Sequence, residues 1–385
     1  MFKKNFKIIA KTFLGLEDIL KKEIEDLGAT KVNKLNRAVE FEGDLELLYT
    51  ANLKLRTALS VLVPIANFKA KDNQMLYDNI FDIAWERYFN LHQTFAVYAV
   101  IHSSFFSHSG FVALKSKDAI ADHFRDKYGE RPDVDPKFAD IKIVVHIQED
   151  KVSISIDTSG KALFQRGYKT EITQAPINEV LAAGIIQLSG WKKDKAFIDP
   201  MCGSGTFLIE AAMIAANFPA NLLRQRFGFQ NLRGYDKDLW KEIVDKAALE
   251  INKDIVPIIG NDIDEDAIIV AQNNINNAGF GKQIQLKTGN FTDLENNLEE
   301  GIIITNPPYD QRLKESDITT LYKSLGDTFK TNFKGFDCWV FSANIKALKN
   351  LGLKARKKTK LMNGSLDAEL HLFEIYEGSK KNKSK

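Results

Sequence analysis

Phe197-Ile198-Asp199-Pro200-Met201-Cys202-Gly203-Ser204-Gly205-Thr206 is a short apolar strand that ends in an acid, turns through two spaced glycines and enters an Ala- and Ile-rich helix over 207–216. A doubly wound α/β domain uses such a turn to hold a nucleotide-like ligand against its backbone. Asp199 supplies an acceptor, while Gly203 and Gly205 permit positive φ and close approach. Alone the loop is weak evidence, but the pattern recurs. Ile258-Ile259-Gly260-Asn261-Asp262-Ile263-Asp264 is a second apolar strand ending in acid, with a helix predicted over 267–278. Asp262 stands where a strand-end carboxylate grips both ribose hydroxyls, and helix capping by Asp262 or Asp264 is the competing reading. Ile284 to Thr288 predicts a third strand, ending in Gly289-Asn290-Phe291, and Ile302-Ile303-Ile304-Thr305 a fourth, running into Asn306-Pro307-Pro308-Tyr309.

Beyond these strands the periodicity predicts a helix over 321–333, a strand over 337–342 and a hairpin whose tight turn is Asn363-Gly364. Before them, Pro176 suits the first turn of a helix running to about Leu188. The stretch 218–233 is an aromatic and basic insertion beside the glycine loop (Leu222, Leu223, Arg224, Arg226, Phe227, Phe229, Arg233). It reads either as an RNA contact or as a satellite hydrophobic cluster.

The first half has a different rhythm. A strand over 6–10, a helix over 16–27 stopped by Gly28, short strands over 32–41, a helix over 45–59 and an extended run over 60–66 make a ferredoxin-like β-α-β pattern. A helix over 73–88, a strand over 94–102, a helix over 110–128 and a hairpin of 141–147 with 152–156 follow. Lys115, Lys117, Arg125 and Lys127 on the long helix are read either as a solvated face or as phosphate contacts.

Composition sets bounds without naming a partner. At 385 residues, 44% apolar and 27% charged, the chain suits a soluble protein of two or three domains. A formal net charge of +2 leaves nucleic-acid affinity to local patches. Two cysteines and six histidines without ligand spacing argue against a disulfide framework and a structural zinc site. No apolar run approaches the ~20 residues of a membrane span, and a cytoplasmic location is expected. The glycine loop lacks Gly-x-Gly-x-x-Gly, which disfavours a dinucleotide dehydrogenase.

The acidic glycine loop paired with Asn306-Pro307-Pro308-Tyr309 resembles S-adenosylmethionine-dependent methyltransferases that act on exocyclic or amide nitrogens. Ser116-Lys117-Asp118-Ala119, then Asp157, Ser159 and Gly160, then Arg166-Gly167-Tyr168 resemble the THUMP module and its junction. In this order the motifs resemble the bacterial 23S ribosomal RNA guanine-N2 methyltransferases. The resemblance implies an α/β chain: a ferredoxin-like segment over 1–66, a THUMP RNA-binding domain over 67–160, a Rossmann-like class I methyltransferase domain over 165–378 and a basic tail over 379–385. It implies S-adenosylmethionine as cofactor, no metal, and RNA as partner, 23S ribosomal RNA or a large-subunit precursor. Cofactor contacts carry over to Pro176, Glu179, Asp199, Pro200, Cys202, Gly203, Ser204, Gly205, Thr206, Asp262, Ile263, Asn290 and Phe291. Catalytic roles carry over to Asn306, Pro307, Pro308 and Tyr309, and RNA contacts to Lys115, Lys117 and Arg166. The chain departs from the family at Ile177 and Asn178, at Asn290 where relatives carry aspartate, and at Asp310 where they carry glycine. Some relatives carry a fused second methyltransferase making N7-methylguanosine. With one catalytic domain read here, only N2 chemistry is expected. Methylation of transfer RNA or of adenine, and a non-catalytic RNA-binding or assembly role, are the alternatives.

Overall fold

The computed structural model describes residues 5–170, 177–294, 298–308 and 315–375. The chain divides into two compact units, one of Met1–Thr12, Lys21–Leu163 and Arg224–Asp245, the other of Phe13–Leu20, Phe164–Leu223 and Lys246–Lys385.

In chain order the first elements are β1 (Phe6–Lys11), α1 (Glu17–Asp26), β2 (Thr30–Leu35), β3 (Ala38–Gly43), α2 (Leu45–Lys54), β4 (Ser60–Lys69), α3 (Asn73–Phe81), β5 (Phe95–His102), α4 (Ser109–Tyr128), β6 (Ile141–Gln148) and β7 (Lys151–Asp157). Their strands form one seven-stranded sheet, ordered β2-β3-β1-β4-β7-β6-β5. The two segments read from sequence thus share a sheet, and β4 is the reason. Its start pairs with β1 (Val61 with Ala10), while Leu62 to Lys69 pair with Asp157 to Lys151 of β7.

Helix α2 stops at Lys54, short of the expected Leu59, because Leu55 turns extended. Glu23 then accepts the Arg56 and Thr57 N–H groups at 3.2 and 3.0 Å and the Thr57 hydroxyl at 2.7 Å. The helix expected over 73–88 ends at Phe81, followed by a 3-10 turn at Trp85–Arg87. A buried network explains the Asp157-Thr158-Ser159-Gly160 motif. Asn52 on α2 donates to the Thr158 hydroxyl at 3.0 Å and accepts from the Ser159 hydroxyl at 2.7 Å. Ser159 in turn receives the Val61 N–H at 2.8 Å.

The 218–233 insertion is a hydrophobic cluster over its aromatic part. Phe229 stacks on Tyr49 at 4.3 Å, and both Phe227 and Phe229 meet Trp240 edge-on. Arg224 is spent on the Ser159, Lys161 and Ala162 carbonyls, at 2.8 to 3.2 Å. Trp240 belongs to α7 (Lys237–Leu249), which the sequence reading passed over although Trp240, Ile243 and Ala247 recur at helical spacing.

The second unit contains α5 (Glu179–Ser189), β8 (Ala196–Asp199), α6 (Thr206–Ala215), β9 (Ile258–Asp262), α8 (Glu265–Asn277), β10 (Ile284–Thr288), β11 (Gly301–Thr305), α9 (Glu315–Asn332), β12 (Asp337–Ser342), β13 (Lys357–Asn363) and β14 (Leu366–Glu374). The sheet order is β10-β9-β8-β11-β12-β14-β13, with β8 to β12 parallel and β14 antiparallel to both neighbours. Side chains alternate between two cores, as strand geometry requires. Phe197, Ile302 and Ile304 pack with α5, α6 and α8, whereas Ile198, Ile303 and Val340 pack with Leu325 and Phe329 of α9. Helix α6 lies close on β9 because Gly260 has no side chain: a Cβ there would fall 2.3 Å from Leu208 Cδ1. In the β13–β14 hairpin Asn363 pairs with Leu366, so the turn residues are Gly364 and Ser365, with Gly364 at φ 63°. This corrects the expected Asn363-Gly364 turn by one position.

Replacing Asn52 with Leu strips two buried hydroxyls of one partner each, leaving them only Val61. We expect a loss of about 2 to 4 kcal/mol, read from urea unfolding of the purified chain.

Candidate active site

Four strand ends singled out in the sequence lie on one edge of the second unit. Asp199, Asp262 and Asn306 stand at the carboxyl ends of the parallel strands β8, β9 and β11, and Asn290 follows β10. Strand order reverses at β8, where an open α/β sheet leaves a crevice for a ligand.

The glycine loop is fastened from β9. Gly203 N–H donates to Asp262 Oδ2 at 2.8 Å, and Cys202 N–H to the Asn261 carbonyl at 2.9 Å. Gly203 and Gly205 adopt φ 51° and 78°, which only glycine holds without strain. Asp262 Oδ1 also accepts the Asp264 N–H at 3.1 Å, while Asp264 caps α8. The capping reading of this acidic pair thus holds at Asp264. Asp262 fixes backbone with each oxygen and keeps a second lone pair on each.

Asn261, missed in the sequence, is the brace of the site. Only 2% exposed, it donates from Nδ2 to the Gly289 carbonyl at 2.9 Å and the Pro200 carbonyl at 3.2 Å. One amide thus ties together the ends of β8, β9 and β10. Its sole signal in sequence is a polar residue where the apolar strand was expected to continue. Asn274 of α8 adds a second tie, donating to the Ser204 carbonyl at 3.2 Å and accepting the Thr170 N–H at 3.2 Å. Pro200, Cys202, Ser204 and Thr206 are buried, so the loop offers backbone more than side chain.

Asp199 is 1% exposed, and burial pushes its carboxyl up to about 7. The Thr305 hydroxyl and the Met201 N–H, the latter at 3.2 Å, pull the other way, and the Asp262 charge adds to the rise. Asn306 presents the complementary feature. Its Oδ1 is removed from solvent and has no hydrogen-bond donor among the described residues. An unmet buried acceptor costs on the order of 1 to 3 kcal/mol. Pro307 is buried and Pro308 exposed, while Tyr309 and Asp310 lie outside the described residues.

Asn290 caps the 3-10 turn Phe291–Asp293, its Oδ1 accepting the Thr292 N–H at 3.1 Å. Ile263, next to Asp262, is 71% exposed, an apolar side chain held out at the sheet edge.

Two predicted contacts are otherwise engaged. Arg166 is 1% exposed and donates to Glu210 of α6 at 3.4 Å and to Asn221 at 3.1 Å, and the Tyr168 hydroxyl joins Glu210 at 3.1 Å. Burial takes Arg166 away from any phosphate, so its expected RNA contact is corrected to an internal tie on the helix that leaves the glycine loop. Glu179 is buried in an ion pair with Lys169 at 3.0 Å. Asn178, a departure from the family pattern, is the N-cap of α5, which starts at Glu179. The expected helix start at Pro176 lies outside the described residues. Lys115 and Lys117 lie on α4, Lys115 Nζ 4.5 Å from the Tyr77 ring centre and Lys117 paired with Asp118 at 2.6 Å.

Residues 166–371 match the family described as RMKL-like, methyltransferase domain. The chain belongs to this methyltransferase family. Residues 70–157 match the THUMP domain and 7–62 the RlmL ferredoxin-like domain. The chain is 37% identical over 383 residues to the "Ribosomal RNA large subunit methyltransferase K/L" of Syntrophotalea carbinolica, covering 96% of this chain and 54% of that one. It thus spans about half the length of the K/L relatives it matches. A Synechocystis protein named "Putative RNA methyltransferase" is 36% identical over 94% of this chain and 95% of its own. A crystal structure of a "putative methyltransferase complexed with SAH" superposes with a TM-score of 0.88 at 31% identity, covering 98% of this chain and 100% of that one. The strand-end residues of this family member therefore stand in a methyltransferase sheet.

The buried carboxyl yields a signed prediction. Unfolded, Asp199 releases its proton near 3.9, but folded it holds that proton up to about 7. Wild-type stability therefore drops as pH rises between those values. The Tm of Asp199→Asn minus that of wild type should climb from pH 4 to 7 and level off above, in melts of ligand-free protein.

Proposed function

We propose that this chain uses S-adenosylmethionine to methylate the exocyclic N2 of a guanosine in RNA, with 23S ribosomal RNA as the substrate. The observation that carries the reading is the buried Oδ1 of Asn306 at the end of β11, unmet among the described residues and on the same sheet edge as the glycine loop. The residues around that loop suit the cofactor. The side-chain-free turn at Gly203 and Gly205, with Asp199 behind it, would take the methionine end, and the spare lone pairs of Asp262 the ribose. Exposed Ile263 supplies an apolar surface for the adenine ring, and Asn290 a polar group at its edge. When bound, S-adenosylmethionine supplies an electrophilic methyl on a sulfonium.

A guanine amino nitrogen is a poor nucleophile because its lone pair is delocalised into the ring. Asn306 Oδ1 and the Pro307 carbonyl would accept the two amino hydrogens and return that density to nitrogen. Preorganised acceptors of this kind act where charge develops and require no reorganisation during the reaction. Tyr309 would stack on the base, a contact of about 1 to 3 kcal/mol. A base within a helix cannot reach such acceptors, so the target is unpaired or flipped out. The THUMP match, the names of the K/L relatives and the SAH-bound structural neighbour support RNA and this cofactor. Within the THUMP half we assign phosphate contacts to Lys115 and Lys117.

Purified protein given S-adenosylmethionine and unmodified 23S ribosomal RNA should yield N2-methylguanosine in nucleoside mass spectrometry. N6-methyladenosine, or transfer confined to tRNA, would replace the reading with its alternative. Asn306→Ala should lower kcat by about 100- to 1,000-fold with cofactor Kd unchanged. Asn261→Ala should instead raise the cofactor Kd by about ten-fold or more, at one or two lost buried hydrogen bonds, and leave kcat at saturating cofactor near wild type. Calorimetric titration and steady-state kinetics separate the two effects.

A further inference from the structure

Strand β13 is the outer strand of the second unit's sheet, and a run of cations spans it and the three residues before it. Lys354, Arg356, Lys357, Lys358 and Lys360 fall within Lys354-Ala355-Arg356-Lys357-Lys358-Thr359-Lys360, and all five are exposed. Of these five, the acids among the described residues pair with Arg356 alone. Glu374 of β14 holds Arg356, and Glu369 holds His371 at 2.7 Å. Among the described residues, Lys354, Lys357, Lys358 and Lys360 have no ion-pair partner; Lys357 lies over the Trp339 ring at 5.7 Å. Sheet register fixes where this charge lies. Thr305 of β11 pairs with Val340, Val340 with His371, and His371 with Lys358. Lys358 is thus level with the residue before Asn306, three strand spacings or about 14 Å across the sheet. Lys360 lies two pairs further toward the same carboxyl edge, level with Ser342 and Glu369.

We infer that β13 is a phosphate-binding rail of the methyltransferase unit, holding the RNA backbone a few nucleotides from the base presented to Asn306. The inference rests on the proposed RNA methylation. Lysines on an edge strand also discourage edge-to-edge pairing of sheets, but that role needs charge of either sign. The rail needs positive charge: each backbone phosphate neutralised releases counterions and steepens the salt dependence of binding.

Three variants separate these roles, each changing Lys354, Lys357, Lys358 and Lys360 together to Gln, Glu or Arg. Each is measured for Tm, monodispersity, S-adenosylmethionine Kd, RNA Kd between 50 and 300 mM salt, and methyl transfer. The inference expects the Gln and Glu variants to bind S-adenosylmethionine as wild type does while losing about ten-fold or more in RNA affinity. Their log Kd against log salt should flatten by about 2 to 3 for up to four lost single-strand contacts, and the Arg variant should match wild type. Wild-type RNA affinity and salt slope in the Glu variant would overturn it, and association of the Gln variant alone would then leave β13 with edge protection only. Failure of the wild-type chain to methylate any RNA would instead remove the underlying functional reading.

Discussion

The hydrogen bond from the Gly203 N–H to Asp262 Oδ2, at 2.8 Å, is the contact on which the site depends. It fastens a loop made flexible by glycine to the end of a neighbouring strand, and it needs the parallel register that puts Asp199 beside Gly260. Asn261 extends the fastening to β10 through the Gly289 carbonyl. The ends of β8, β9 and β10 therefore form one hydrogen-bonded rim, with backbone geometry set by the Asp262 and Asn261 side chains.

That rim holds groups in costly states. Asp199 is buried with its carboxyl raised to about 7, and Asn306 keeps an acceptor out of water without a donor among the described residues. Neither arrangement favours folding, and under the proposed function each would meet a ligand that brings positive charge or amino hydrogens. The surrounding sheet supplies the compensating stability, through two cores that sandwich alternating residues of β8, β11 and β12.

Strand positions, the helix after the glycine loop and the strand-end residues were legible because apolar runs of period two, glycine turns and acids at run ends are local signals. Ile284–Thr288 and Asp337–Ser342 stand as the pattern predicts. What failed depended on distant partners. Helix α2 ends early because Glu23 takes the N–H groups beyond it, and Arg166 is interior because Glu210 and Asn221 meet it inside the fold. The aromatics of 227–229 gave no local hint that Tyr49 would receive them.

By itself the sequence determined the α/β elements through residue spacing and, through the resemblance of its ordered motifs to known families, a methyltransferase domain behind ferredoxin-like and THUMP segments, since both signals run along one dimension. Only the tertiary structure decided that the two N-terminal segments share a sheet through β4, that Asn261 braces three strand ends, and that Lys358 of β13 stands level with Thr305. Each of these is set by pairing register between strands far apart in the chain, which no local pattern encodes.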